Sequence, residues 1–376
     1  MSVREIIAHE IRERGPIPFS RYMELCLYHP EFGYYSRNAE QFGRAGDFYT
    51  SSDVHAVFGR LLARQFEEMW RALDSPAALE ILELGPGRGL FAQDVLDWSE
   101  KMFPQFLAAL HYSLTESSPA LGKKLAATLS RHFAAGRASL LPSNADPPAE
   151  PVPRALSPET PLIVFANEFF DALPVEVVSQ QGELRVTEQD GQLSETWAPP
   201  PSPEELDFLD RYSVHPEPGE RVEVPLVSQN YMLQIARAVQ RGFFIAIDYG
   251  YTRPEQLAGR HRGTVMAYRQ HSASPNPYQA PGEQDITAHV NFTALAGAAE
   301  QQGMQVQPLL TQSQFLMGIG EANQFADAFE DCRLPQERAK VALQLKHLVT
   351  PAGMGENFQV LIAGRGVKAP SVNRET

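Results

Sequence analysis

Seven consecutive residues, Glu83-Leu84-Gly85-Pro86-Gly87-Arg88-Gly89, constrain the fold of this chain more than any other stretch. They follow a short apolar run, Ala78 to Leu84, and precede Leu90 to Phe106, which reads as a helix. Alternating glycines between a strand and a helix allow a tight turn and let the backbone approach a ligand with no Cβ in the way. The helix behind such a turn offers unpaired N–H groups to a carboxylate or phosphate. A strand–turn–helix unit of this kind predicts an α/β protein on a parallel, doubly wound sheet.

Further units follow along the chain. Tyr112 to Glu116 reads as a second strand and Pro119 to Phe133 as a helix. Leu140 and Leu141 close a third strand, Pro161 to Ala166 form a fourth, Phe243 to Ile247 a fifth, and Phe358 to Ala363 the last. Helices are expected over Asn230 to Gln240 and near residues 292–302, 322–331 and 335–348. Proline-dense residues 142–161 read as a surface loop. Val175 to Trp197 instead reads as an antiparallel meander, with turns at Gly182 and Asp190-Gly191. At the front, residues 1–14 form an amphipathic helix stopped by Gly15-Pro16, and an aromatic segment runs from Phe19 to Tyr35. An amphipathic helix carries Val54, Val57, Phe58, Leu61, Leu62, Phe66 and Met69. The expected division is an N-terminal extension with a cofactor-closing loop (1–60), a core (61–174 and 228–365) and an inserted β-meander and helix (175–227).

Ligands of doubly wound sheets bind beyond the carboxyl ends of the strands. The dinucleotide fingerprint needs G-x-G-x-x-G, whereas this turn is G-x-G-x-G with an acid two places before the first glycine. A P-loop is excluded because no Lys-Ser/Thr pair follows. The acid-x-G-x-G-x-G pattern matches the first motif of the class I (Rossmann-like) methyltransferases, whose cofactor is S-adenosyl-L-methionine. Glu83, Gly85, Pro86, Gly87 and Gly89 are its candidate cradle. Glu116, at the second strand's end, is placed to hold two ribose hydroxyls with one carboxylate; the alternative is a cap for the helix at Ser118-Pro119. Asp47, Thr50 and Ser51 precede a helix and are expected to close over the cofactor, although Ser51 also suits a cap.

These motifs, with GDFYTSSDVHAVFG from Gly46, ANEFFDALPVEVV from Ala166, IDYGY from Ile247 and PGEQDITAHVNF from Pro281, resemble the MidA-type methyltransferase family. The likeness extends to the opening GPIPFSRYMELCLYHPEFGYYS and the closing LVTPAGMGENFQVL. One departure is Val265, where relatives carry leucine. The resemblance implies a class I fold with inserted elements. Its mitochondrial members assist assembly of respiratory complex I and are associated with methylation of an arginine on a subunit. A protein substrate, with a respiratory-complex subunit as one candidate, is the implied partner, although the resemblance does not imply the same target here. A small-molecule acceptor and a non-catalytic assembly factor that uses the fold as a binding scaffold are the alternatives.

An arginine acceptor calls for carboxylates that grip the planar guanidinium. Asn167-Glu168-Phe169-Phe170-Asp171 follows the fourth strand, where class I enzymes commonly place acceptor residues. Glu168 is the first candidate, Asp171 the second, and Asn167 a source of an amide. Asp171 could instead fix a turn before Ala172-Leu173-Pro174. Asp248, ending the fifth strand, is either another wall of the site or a turn residue. Asp285 and His289 stand at helical spacing, as a general-base pair or a local hydrogen bond.

Composition narrows the remaining classes. A formal net charge of −14 argues against a phosphate-tracking nucleic-acid binder. Two cysteines, Cys26 and Cys332, exclude a disulfide framework and a cysteine zinc site, and no histidine grouping suggests a metal. No apolar run approaches the roughly 20 residues of a bilayer span, and the first residues lack the apolar core of a signal peptide. The expectation is a cytoplasmic protein without membrane insertion; the oligomeric state is left open.

Overall fold

The computed structural model describes residues 2–37, 56–142, 157, 159–259, 261–269, 272–321 and 323–367. Its central sheet has seven principal strands: β1 (Leu79–Leu84), β2 (Leu110–Thr115), β3 (Ala138–Leu140), β4 (Leu162–Asn167), β5 (Gly242–Tyr251), β6 (Gln305–Val306) and β7 (Phe358–Arg365). Their order is β3-β2-β1-β4-β5-β7-β6. The first five are parallel, whereas β7 runs antiparallel to both β5 and β6. Short strands Val290–Asn291 and Leu310–Thr311 pair with β5 and β7. The order reverses between β1 and β4, which opens a crevice at the carboxyl ends of these strands.

Alternation along each strand sends neighbouring residues to opposite faces, and both faces are covered. Ile81, Ile163, Phe165 and Ile245 pack on Phe58, Leu62 and Phe66 of helix Ala56–Ala72 and on Phe91 and Val95 of helix Leu90–Met102. Leu82, Val164, Phe244 and Ala246 pack on Met232 and Ile235 of helix Leu226–Ala238 and on Leu295 and Ala298 of helix Phe292–Gln301. Each fully buried large apolar side chain contributes about 1.5–3 kcal/mol. Glu80, the polar interruption of β1, pairs with His111 on β2 at 3.0 Å.

The expected meander is present as Glu176–Ser179, Gly182–Gln189 and Gln192–Ala198, joined in one sheet by Val222–Val224. Ile17–Pro18 also pairs with it, through Ile17 opposite Val186. The N-terminal extension and the insert thus share a core in which Val3, Ile7, Phe19 and Tyr22 meet Val177, Leu184 and Val186. Met266–Arg269, Ser272–Ser274 and Asp285–Thr287 make a third small sheet that the sequence does not signal.

Four expectations change, the first being the helix over Pro119 to Phe133, which is divided into Pro119–Thr128 and Ser130–Ala134. The helix after the glycine turn ends at Met102 and restarts at Pro104, because proline supplies no N–H to continue it. In place of one helix near residues 322–331 there are helices Gln312–Glu321 and Ala326–Phe329. Asp285 lies on a strand and His289 beyond it, so their spacing is not that of one helix face.

Candidate active site

The turn after β1 has the backbone its glycines permit. Gly85, Gly87 and Gly89 all have left-handed φ angles, +63°, +54° and +75°. A Cβ at Gly85 would stand 2.9 Å from the Phe169 ring, whereas one at Gly87 would meet nothing within 4 Å. The Pro86 carbonyl closes the turn by accepting the Gly89 N–H at 2.9 Å, and Gly89 caps helix Leu90–Met102. Glu83 is 4% exposed beneath the turn, where the Tyr112 hydroxyl donates to it at 2.9 Å. Burial pushes its carboxyl up to about 8, against the lowering effect of Tyr112.

Glu116 ties the turn to the end of β2. One carboxylate oxygen accepts the Gly87 N–H at 3.1 Å, and the other accepts the Ser118 N–H at 2.8 Å. Burial raises its carboxyl to about 7, opposed by those backbone donors. Ser117 adds a third backbone donor; a carboxylate has roughly four lone-pair sites, so room for a hydroxyl remains. Asp47, Thr50 and Ser51 lie outside the described residues.

Across the crevice, β4 ends at Asn167, whose amide donates to Glu168 at 3.1 Å. The Asn167 side-chain oxygen is buried with no hydrogen-bond partner among the described residues. Glu168 has φ +49°, an uncommon left-handed conformation for a residue with a side chain. Asp248, 1% exposed, holds this corner. One oxygen accepts the N–H groups of Phe169, Phe170 and Asp171 at 3.2, 3.0 and 3.3 Å, and the other accepts the Tyr249 N–H at 2.9 Å. Burial, then the charges of Asp171 and Glu168, push the Asp248 carboxyl well above the usual range.

The Tyr249 hydroxyl donates to Asp171, whose carboxyl burial raises to about 6 despite that bond. Tyr249 is a residue that motif reasoning passes over, although it stands next to Asp248 in IDYGY. The aromatic segment contributes as well: the Tyr28 hydroxyl donates to the Ala172 carbonyl at 2.9 Å, and the Tyr35 hydroxyl donates to Asp285 at 2.8 Å. The structure does not bring Asp285 and His289 together as a pair. His289 faces His261, with 3.1 Å between their Nδ1 atoms, and burial lowers its pKa to about 4. No group of three or more metal-ligating side chains occurs among the described residues, and no described helix is long and apolar enough to cross a membrane.

The left-handed glycine cradle, the helix start behind it, the Glu116 carboxylate and the orphaned Asn167 oxygen fit a ligand with a carboxylate, an ammonium and a ribose. Such a site on a sheet of this order is that of a class I S-adenosyl-L-methionine-dependent methyltransferase. Comparisons with known proteins agree. Residues 61–310 match the family described as "Putative S-adenosyl-L-methionine-dependent methyltransferase", and the chain belongs to that family.

The mitochondrial protein arginine methyltransferase NDUFAF7 homolog of Drosophila melanogaster is 30% identical, over 99% of this chain and 87% of its own. Human mitochondrial protein arginine methyltransferase NDUFAF7 is 27% identical, over 94% of this chain and 81% of its own. A crystal structure from Burkholderia thailandensis, bound to S-adenosyl-homocysteine, is 28% identical with a TM-score of 0.80, over 97% of this chain and 92% of that one. The cofactor is S-adenosyl-L-methionine. The cytoplasmic expectation is overturned, because the relatives from Drosophila melanogaster, Danio rerio and human are named as mitochondrial proteins. Composition could not have revealed this, since every aqueous compartment asks the same balance of core and surface.

Proposed function

We propose that this chain methylates an arginine side chain of a protein, with Glu168 and Asp171 as the carboxylates that receive the guanidinium. The observation that carries this reading is the buried Asp171 carboxylate, raised to about 6 and met by a neutral tyrosine, across the crevice from the glycine turn. The names of the relatives support the acceptor class. A respiratory-complex subunit, implied by the family resemblance, is the first protein to test. In this reading residues 61–174 and 228–365 are the catalytic core, 175–227 the insert and 1–60 the extension.

Gly85, Gly87 and Gly89 would cradle the methionine end, Glu116 the ribose, and the Asn167 oxygen would accept from the amino group. Bound S-adenosyl-L-methionine supplies a methyl on a sulfonium, whose C–S bonding pair stays on sulfur as the new N–C bond forms. The residues of this chain have to position the acceptor nitrogen in line and take its proton. Glu168 would hold one edge of the guanidinium bidentately. Asp171 would take the proton released from nitrogen. Asp248 fixes the corner that carries both, as a positioning residue.

Asp171 must then be ionised, so kcat/KM should rise with pH through about 6. Tyr249→Phe removes the donor that lowers the Asp171 carboxyl, and should move this acid limb upward. Asp171→Asn should abolish both the limb and most of the activity. The same shift has a stability consequence. Because the folded carboxyl lies above its ordinary value of 3.8, its favourable contribution is complete below that value and lost as pH rises through about 6. Asp171→Asn should therefore melt higher than the native chain near pH 8. A limb unmoved by Tyr249→Phe would remove Asp171 from the proton's path.

Glu116→Ala removes a charged acceptor worth roughly 1.5–3 kcal/mol and should weaken cofactor binding about ten- to a hundredfold in calorimetry. The acceptor class is tested with methyl-labelled cofactor and mitochondrial protein extract, followed by hydrolysis to amino acids. Label in methylated arginine is expected. Label confined to RNA or to small molecules would defeat the protein-arginine reading.

A further inference from the structure

The tyrosines of the N-terminal extension play no part in the mechanism above, yet two of them reach the acceptor side of the crevice. The Tyr28 and Tyr35 rings lie 5.5 Å apart. Tyr28 bonds the Ala172 carbonyl, next to Asp171, and Tyr35 bonds Asp285. Asp285 and Thr287 alternate on one strand and so share a face. Tyr268, directly opposite Asp285 on the neighbouring strand, belongs to the same face. Thr287 meets the Tyr249 hydroxyl, which donates to Asp171. The Ala288 N–H closes the ring by donating to the Asp171 carbonyl at 2.9 Å. Asp171, Tyr249, Thr287, Asp285, Tyr35 and Tyr28 are therefore linked by one circuit of contacts that brings Asp171 and Asp285 to the same wall. Burial chiefly raises the phenols of Tyr28, Tyr35 and Tyr268, and both Asp285 and Asp171 add to it, as two nearby carboxylates do.

Tyr35 also touches the cofactor side. Its carbonyl accepts the Ser118 hydroxyl at 2.7 Å, and the Ser118 N–H in turn donates to Glu116. One residue thus spans the ribose carboxylate and Asp285, and the circuit adjoins the methyl-transfer crevice.

We propose that Asp285, oriented by Tyr35, is a second acceptor-binding carboxylate that selects a guanidinium over an ammonium or a neutral side chain. This rests on the arginine reading above. A guanidinium carries five N–H donors in a rigid plane, and one carboxylate satisfies only one edge of it. A second carboxylate on another edge, between phenol rings that can lie against the planar face, completes the match. The ammonium of lysine is a compact point charge and cannot span two such edges. Tyrosine donors hold the two carboxylates in direction without neutralising their charge. In this arrangement Tyr35 is a positioning residue.

The test uses the full chain with saturating S-adenosyl-homocysteine. N-acetyl-arginine methylamide, its lysine counterpart and its citrulline counterpart, which keeps the shape and lacks the charge, are titrated by saturation-transfer NMR. The native chain should prefer the arginine probe at least ~tenfold over both others. Asp285→Asn should erase that preference and leave S-adenosyl-homocysteine affinity unchanged, and Asp285→Glu should restore part of it. The preference is a ratio within one protein, so a partly unfolded variant still reports it. In turnover, Tyr35→Phe should raise the KM for the arginine acceptor about threefold at unchanged kcat and unchanged cofactor KM. An Asp285→Asn variant that keeps the arginine preference would overturn the inference while labelled arginine from the native chain upholds the function. If the native chain neither prefers the arginine probe nor labels arginine, the function falls and the inference with it.

Discussion

Gly87→Val is expected to lower affinity for S-adenosyl-L-methionine at least ~100-fold while moving the thermal midpoint by no more than a few degrees. The two halves of this result have separate causes. Gly87 has φ +54°, and a β-branched residue held there costs about 1–2 kcal/mol. No atom lies within 4 Å of the position its Cβ would take, so no core contact is disturbed. The open face is itself the reason that binding should fail. An isopropyl group would stand where the backbone must approach the ligand, beside the N–H that reaches Glu116. A hundredfold loss corresponds to about 2.8 kcal/mol, at ~1.4 kcal/mol per factor of ten. Calorimetry with S-adenosyl-homocysteine and a melting curve measure the two halves. Unchanged affinity would remove the glycine turn from the cofactor site.

The second large effect is expected at Asp248. Asp248→Ala should destabilise the protein by roughly 3–5 kcal/mol and abolish methyl transfer, since it strands four backbone N–H groups in a buried corner. Three of those groups belong to Phe169, Phe170 and Asp171, so the corner that carries the proposed acceptor carboxylates, Glu168 and Asp171, loses its anchor. Asp248→Asn retains one acceptor oxygen and points an NH2 at other donors; its destabilisation should be about half as large. Denaturant unfolding measures both. A stable Asp248→Ala variant with native turnover would show that the corner holds its shape without the carboxylate.

What could be read in advance was local. The glycine turn is contiguous, and its backbone demand falls on the residues that announce it. Glu116 was legible because a strand, a turn and a helix start fix its place. The corner proposed to receive the acceptor was legible only as strand ends, Asn167 to Asp171 and Asp248. Their partners arrive from far along the chain: Tyr249 to Asp171, and Tyr35 to Asp285 across most of the sequence. Hydrophobic periodicity reports which face of an element is buried and carries nothing about which distant phenol will meet it. The spacing of Asp285 and His289 misled for a related reason, since an interval of four residues is a helical signal only inside a helix. In the aromatic segment a phenol and a phenyl leave the same apolar trace in sequence, and only the hydroxyl partners of Tyr22, Tyr28 and Tyr35 distinguish them.

The pairing of Ile17 with Val186 bears on how the molecule is made. During synthesis the N-terminal extension emerges before the strand it docks against, which follows only after β1 to β4 and the first part of the insert. Its helices cannot bury their apolar faces until then, and closing so long a loop is slow compared with forming local contacts. The wall that carries Tyr28 and Tyr35 is therefore built by residues made before the core and is among the last parts to settle. A nascent chain halted before the insert would hold the glycine turn and β2 without that wall.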